Sequence, residues 1–146
     1  MAGASLALDL RPEAEEVVRL LEAFEAFAEA QALPHKATLQ AMLVLEELAV
    51  NIVTHAFPEG RGAPVEVVLT LDSEGVLICD FRDRGRPFDP FQDAPAPDLT
   101  SDTAERRVGG LGLHLVRQMV DSTSYHRADG INHVRVTKNC RTGADG

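Results

Sequence analysis

Residues 46–57, EELAVNIVTHAF, constrain this chain more than any other stretch. Glu47, Asn51 and His55 recur every fourth residue, and their neighbours Val44, Leu45, Leu48, Ala49, Ile52, Val53 and Ala56 are apolar. At 3.6 residues per turn the three polar side chains form a single stripe on a helix. Gln40 and Thr54 fall close to that stripe. An ordinary surface helix carries a broad polar face of mixed charge, whereas this one is apolar on both sides of a narrow polar line. A carboxylate, an amide and an imidazole so placed need partners or a ligand, because burying them bare is costly. The helix is therefore expected to line a pocket.

The order of elements around it follows from local pattern. Ser5–Leu10 alternates weakly and predicts a short strand; a helix then runs from Pro12 and Glu13 to about Gln31 and is broken by Pro34. The polar-striped helix spans about Lys36 to Phe57. Val65, Val67, Leu69 and Leu71 mark a strand with one buried face. After a turn at Asp72–Gly75, residues 76–81 form a strand apolar on both faces until Asp80, hence a central one. Residues 84–108, with Pro87, Pro90, Pro95 and Pro97, predict a long loop of the kind that is functional or disordered. Gly109–Ser122 reads as a glycine-rich entry into a helix, and Thr123–Lys138 as a hairpin turned at Asp129-Gly130. Asn139–Gly146 is expected to fray. Strands and helices do not alternate throughout, which argues against a parallel sheet. The expectation is a mainly antiparallel or mixed sheet with helices on one face, in one domain spanning residues 1–146.

Composition removes several function classes. With a formal charge of −9 over 146 residues, the chain lacks the basic face that nucleic-acid binding needs, and anionic membranes are disfavoured. Cys79 and Cys140 make neither a disulfide framework nor a metal spacing. No apolar run is expected to span a bilayer and no signal peptide is expected at the N-terminus, so a cytoplasmic location is the default.

Three constellations carry chemistry. Glu47 and Asn51 lie one helical turn apart: an Asn oxygen suits Mg²⁺ that keeps its waters and grips phosphates, and the carboxylate could accept a proton from an attacking hydroxyl. Asp83, in DRGRP, continues the buried face of Leu77, Cys79 and Phe81 and needs a donor, which the exocyclic amine of a base would supply. Gly85 would let backbone approach such a ligand closely. Third, Val108-Gly109-Gly110-Leu111-Gly112-Leu113 opens a helix, where free amides bind phosphate. This run is neither the dinucleotide fingerprint nor a phosphate loop of the G-x-x-x-x-G-K type. Arg106 or Arg107, just before it, could meet a γ-phosphate. Each constellation alone has a plain structural explanation: a solvated stripe, a strand-ending turn Asp, a hinge with close helix packing.

In this order the three resemble the N, G1 and G2 boxes of the GHKL (Bergerat) ATPase superfamily. LEELAVNIVTHAF, DFRDRGRPFDP and GGLGLHLVRQMVD are similar in style to one branch of it, the bacterial anti-sigma-factor serine/threonine kinases and their ATP-binding regulatory relatives. The resemblance covers about residues 6–138. It implies a two-layer α/β sandwich, a mixed sheet under helices, that binds ATP and Mg²⁺. Glu47 would be the general base and Asn51 the Mg²⁺ ligand. Asp83 would bond the adenine amine and Gly85 would shape the pocket floor. Gly110 and Gly112 would border the phosphates, Gly109, Leu111 and Leu113 would belong to the same nucleotide-binding segment, and Arg107 would be a candidate for the γ-phosphate. Residues 89–108 would be an ATP lid, and Thr137 would match a threonine supporting the adenine site. Pro87 stands where many superfamily members have glycine, which this branch tolerates.

The function implied is a serine protein kinase that phosphorylates a small anti-sigma-factor antagonist and sequesters a sigma factor, commonly as a homodimer. The alternative is a nucleotide-gated binding switch with little or no catalysis. A histidine kinase is disfavoured, since residues 1–35 offer one helix with His35 at its end rather than a dimerising hairpin. A two-domain ATPase would need a second domain for which no room is expected.

Overall fold

The computed structural model describes residues 3–93 and 108–141. Its strands are β1 (Ala4–Leu10), β2 (Val65–Leu71), β3 (Val76–Asp83), β4 (Ser122–Ala128) and β5 (Ile131–Asn139). Its helices are α1 (Glu15–Ala30), α2 (His35–Asn51), a single turn α3 (Pro90–Asp93) and α4 (Val108–Met119). The strands form one sheet in the order β1-β2-β3-β5-β4. All four pairings are antiparallel, the first of the two expected arrangements rather than the mixed one. The reason is connectivity: β2 to β3 and β4 to β5 are tight hairpins, and a hairpin can join only antiparallel strands.

Period-2 alternation sorts the sheet into two faces. Leu10, Val65, Val67, Leu69, Leu71, Leu77, Cys79, Phe81, Val134 and Val136 are buried on one of them. Val17, Leu20, Phe24 and Ala28 of α1 join the same core, as do Val44, Leu45, Leu48 and Ile52 at α2 and Val116 of α4. Helix α2 is central in its layer, touching α1 and α4, and β3 is central in the sheet. The paired layers therefore meet along the α2 and β3 axes.

Local chemistry explains the boundaries. Helix α1 ends in a Schellman arrangement: Leu33 N–H reaches the Ala28 carbonyl while Ala32 takes φ 56°. At the β4–β5 turn Asp129 and Gly130 have φ 54° and 76°, the left-handed pair of a two-residue hairpin. In the β2–β3 turn Asp72 Oδ1 accepts from the Glu74 and Val76 amides.

Three expectations change. The striped helix is not α-helical to its end, because residues Ile52–Ala56 form a π-helical turn. The C-terminal segment is ordered further than expected. Asn139 is in β5, and Cys140 is buried with its amide on the Gly75 carbonyl; residues 142–146 lie outside the described residues. Finally, His35–Ala56 is long and apolar enough to cross a membrane by length and composition alone. Its apolar sides are used instead in the core, where Val44, Leu45, Leu48 and Ile52 are buried.

Candidate functional site

Folding buries two polar residues of the α2 stripe. Glu47 is 8% exposed and Asn51 only 2%. The Asn51 amide nitrogen donates to the Glu47 main-chain carbonyl at 2.7 Å. A carbonyl can only accept, so the nitrogen must face it and Oδ1 must turn away. Among the described residues neither Asn51 Oδ1 nor the Glu47 carboxylate receives a hydrogen bond. Burial pushes the Glu47 carboxyl above its ordinary range, and neighbouring Glu46 adds to the rise. A buried amide oxygen and a buried carboxylate without donors are groups left for a ligand.

Helix α4 crosses α2 at this point. A Cβ placed on Gly112 would come within 2.5 Å of Cδ, Oε1 and Oε2 of Glu47. Gly112 therefore lets the α4 backbone rest directly on the carboxylate. Gly109, Gly110 and Leu111 belong to the opening of α4, so the glycine run starts the helix as its sequence suggests. Leu113 turns instead into the hydrophobic core.

The other end of α2 is closed by the loop after β3. A Cβ on Gly85 would come within 2.9 Å of the Ala56 carbonyl group and Cβ. The Arg86 amide donates to the Ala56 carbonyl at 2.9 Å, and Arg86 Nε donates to the His55 carbonyl. His55 leaves the stripe here: its ring lies 5.1 Å from that of Phe88, in the π-helical turn, which alters the angular step of the helix. The Glu47–Gly112 and Ala56–Gly85 contacts are nine residues apart on one helix, roughly 13 Å along its axis. Asn51 lies between them on the helix.

Asp83 sits at the Gly85 end, 3% exposed and on the helix-facing side of the sheet. Burial pushes its carboxyl up, opposed by donors from Asn132 and Gly85 and by the charge of Arg127. Oδ1 accepts from Gly85 N–H and Asn132 Nδ2, both at 2.9 Å. Among the described residues Oδ2 has no donor. A cavity of about 320 Å³ borders Asp83 but opens between Asp9, Pro64, Glu66, Arg82 and Ile131, away from Glu47 and Asn51.

The structure does not bring Thr137 to this site. It pairs with Ile78, five residues along β5 from Asn132, and lies on the opposite face of the sheet. That is roughly 17 Å at strand spacing. Its hydroxyl meets Ser122 instead. Arg106, Arg107 and most of the expected lid (94–107) lie outside the described residues. Sequence reasoning missed Asn132 and Lys138, although both continue the buried face of Val134 and Val136, the signal that singled out Asp83. Lys138 Nζ donates to Gln40 Oε1 at 2.7 Å and to the Met119 carbonyl at 2.8 Å. It thereby ties α2 to the C-terminal end of α4, where a cation is favoured.

A family model described as the histidine kinase-like ATPase domain matches residues 10–138, a span that holds Glu47, Asn51, Asp83, Gly85 and Gly112. The chain belongs to that family. Within this histidine kinase-like ATPase family, the chain is 36% identical over 95 residues to the serine/threonine-protein kinase BtrW of Bordetella bronchiseptica. The match covers 65% of this chain and 66% of BtrW, just under two thirds of that relative. The fold is similar to that in the crystal structure of the RsbU and RsbW domains of Rv1364c from Mycobacterium tuberculosis, with TM-score 0.68 and 13% identity. That match covers 93% of this chain and 32% of the other. It is also similar to the histidine kinase domain of the Erythrobacter litoralis EL346 blue-light activated histidine kinase. There the TM-score is 0.58 and the identity 16%, over 90% of this chain and 63% of the other. These two likenesses establish the α/β fold.

The family is one of ATPase domains, and the chemistry of these residues suits ATP. Asp83 Oδ2 is an acceptor for an amine, and the α4 opening offers amides to phosphates. Among the described residues no three His, Cys, Asp or Glu side chains could hold a metal. A cation here would rest on Asn51 Oδ1, with phosphate oxygens and waters completing its shell, a common mode for Mg²⁺.

Proposed function

We propose that this chain is a Mg²⁺- and ATP-dependent protein serine/threonine kinase of the anti-sigma regulatory type. It phosphorylates a serine on a small anti-sigma-factor antagonist and sequesters a sigma factor. The observation that carries this reading is the pair on α2: a buried Glu47 carboxylate and a buried Asn51 oxygen, one turn apart and neither with a donor among the described residues. Likeness to a named serine/threonine-protein kinase supports the acceptor class. Bound Mg²⁺-ATP supplies the transferable phosphoryl group. Glu47 accepts the proton of the attacking hydroxyl, Asn51 Oδ1 holds the cation, and Asp83 with Gly85 seats the adenine. Gly110 and Gly112 border the phosphates, and Arg107 is the candidate cation for the γ-phosphate. Phosphoryl transfer needs mainly positioning and charge stabilisation, and Asn51 and Glu47 sit on one rigid helix for that purpose.

Single-turnover transfer of labelled phosphate from Mg²⁺-ATP to a cognate antagonist tests the reading. Glu47→Gln should abolish transfer and keep ATP binding, while Asn51→Ala should remove the Mg²⁺-dependence of binding. Undiminished transfer by Glu47→Gln would refute the assignment. A nucleotide-gated switch is the second reading, favoured by the seating of Gly112 on Glu47: nucleotide entry there displaces α4 and reshapes the surface carrying Leu115. Binding of ATP with no transfer by the wild type would select it. A homodimer in the cytoplasm accompanies either reading, and sedimentation equilibrium checks the dimer.

A further inference from the structure

Asn132 is fully buried, and all four of its hydrogen-bonding positions are used. Nδ2 donates to Asp83 Oδ1 at 2.9 Å and to the Arg86 carbonyl at 2.8 Å. Oδ1 accepts from the Tyr125 hydroxyl and from Arg127 Nη1, the latter at 2.9 Å. Arg127 Nη1 also reaches the Gly85 carbonyl at 3.1 Å. Flipping the amide would set oxygen against a carboxylate and a carbonyl, and nitrogen against the Arg127 guanidinium, which can only donate, so only one orientation is tolerated. In that orientation Asn132 and Gly85 N–H both serve Asp83 Oδ1, and Oδ2 is the oxygen left to accept from a ligand. Register enforces the meeting, because Asp83 and Asn132 are direct partners in the β3–β5 ladder.

We infer that Asn132, braced by Tyr125 and Arg127, is a positioning residue that fixes which oxygen of Asp83 faces the ligand, and so sets selectivity for a 6-amino over a 6-oxo purine. This rests on the proposal that Asp83 accepts from the base. An amine at position 6 donates to Oδ2; an oxo group there opposes it with a second acceptor.

Calorimetric titration of the full chain with Mg²⁺-ATP and Mg²⁺-ITP reads the selectivity directly. The wild type should prefer ATP by on the order of 10–100-fold, the range of a hydrogen bond to a charged group. Asp83→Asn should abolish the preference for ATP and turn it toward ITP, because the two donors at Oδ1 hold its oxygen and leave its nitrogen to the ligand, and Asn132→Leu, near in size but without a donor, should narrow the wild-type preference about tenfold. A general structural role would weaken both nucleotides alike and leave their ratio unchanged. Because Asn132 is buried, thermal unfolding checks that its variant folds. The double variant Tyr125→Phe with Arg127→Met keeps Asn132, strips its oxygen of both donors, and should narrow the ratio too. A wild type without preference, or Asp83→Asn with preference intact, overturns the placement of the base and the inference with it. A preference lost in Asp83→Asn but kept in a folded Asn132→Leu, or in the double variant, overturns the inference alone.

Discussion

Gly112→Ala separates the stability of this fold from its chemistry. The added methyl would fall within 2.5 Å of three carboxyl atoms of Glu47, whereas heavy atoms in contact prefer about 3.5–4.0 Å. The carboxylate must retreat by roughly 1–1.5 Å on that scale. It is the end of a flexible side chain, so the retreat is a torsional change costing about 0.5–1.5 kcal/mol. Replacing glycine by alanine within a helix returns about 1 kcal/mol. The two nearly cancel, and for a chain of this size the melting temperature should move by no more than about 4 °C. Turnover should not be spared, since a displacement of about 1 Å at a catalytic group can cost on the order of 100-fold. Thermal unfolding paired with single-turnover ADP formation from Mg²⁺-ATP provides the measurement. Wild-type turnover at an unchanged melting temperature would show that the Glu47 carboxylate need not stand where it does. A drop above about 10 °C, several times the shift allowed here, would show that Glu47 cannot yield and that the contact is architectural.

Glu47→Gln should raise stability at pH 7, because the folded-state pKa of Glu47 is raised by burial. A carboxyl of this kind favours the fold at low pH and loses that contribution as pH rises from its unfolded value, about 4.3, through its folded one. Urea midpoints against pH should therefore converge below that window; a Gln variant less stable at neutral pH contradicts the sign. Glu16 is the opposite case: hydrogen bonds from Arg19 and the Arg11 amide lower its pKa to about 2. Its contribution is present above the unfolded value and lost as pH falls through about 2, so Glu16→Gln should be destabilising at pH 7 and neutral in strong acid. Gly85→Ala drives a methyl into the Ala56 backbone; it should cost about 1–3 kcal/mol in denaturant titration and weaken ATP binding, and an unchanged midpoint would deny the contact. Ala32→Gly relieves a left-handed alanine at φ 56° and should stabilise by about 1 kcal/mol in the same assay, which a loss of stability would refute.

Much of this protein was legible before folding because its signals are local. Helical spacing marked α2, alternation marked β2 and β3, and the left-handed preference of Asp129-Gly130 marked the β4–β5 turn. Polar residues continuing a buried pattern pointed to Glu47, Asn51 and Asp83, since a polar group in an apolar row needs a reason. Tertiary structure decided what each group faces. Only the β3–β5 register sets Asn132 against Asp83 and removes Thr137 to the far end and opposite face of the sheet. Only the crossing of α4 over α2 rests Gly112 on Glu47, and only the π-helical turn sends His55 toward Phe88 instead of along the stripe. Periodicity states which side of an element is buried. Which residue lies opposite depends on register and crossing angle, and those are settled by the packing of the whole core.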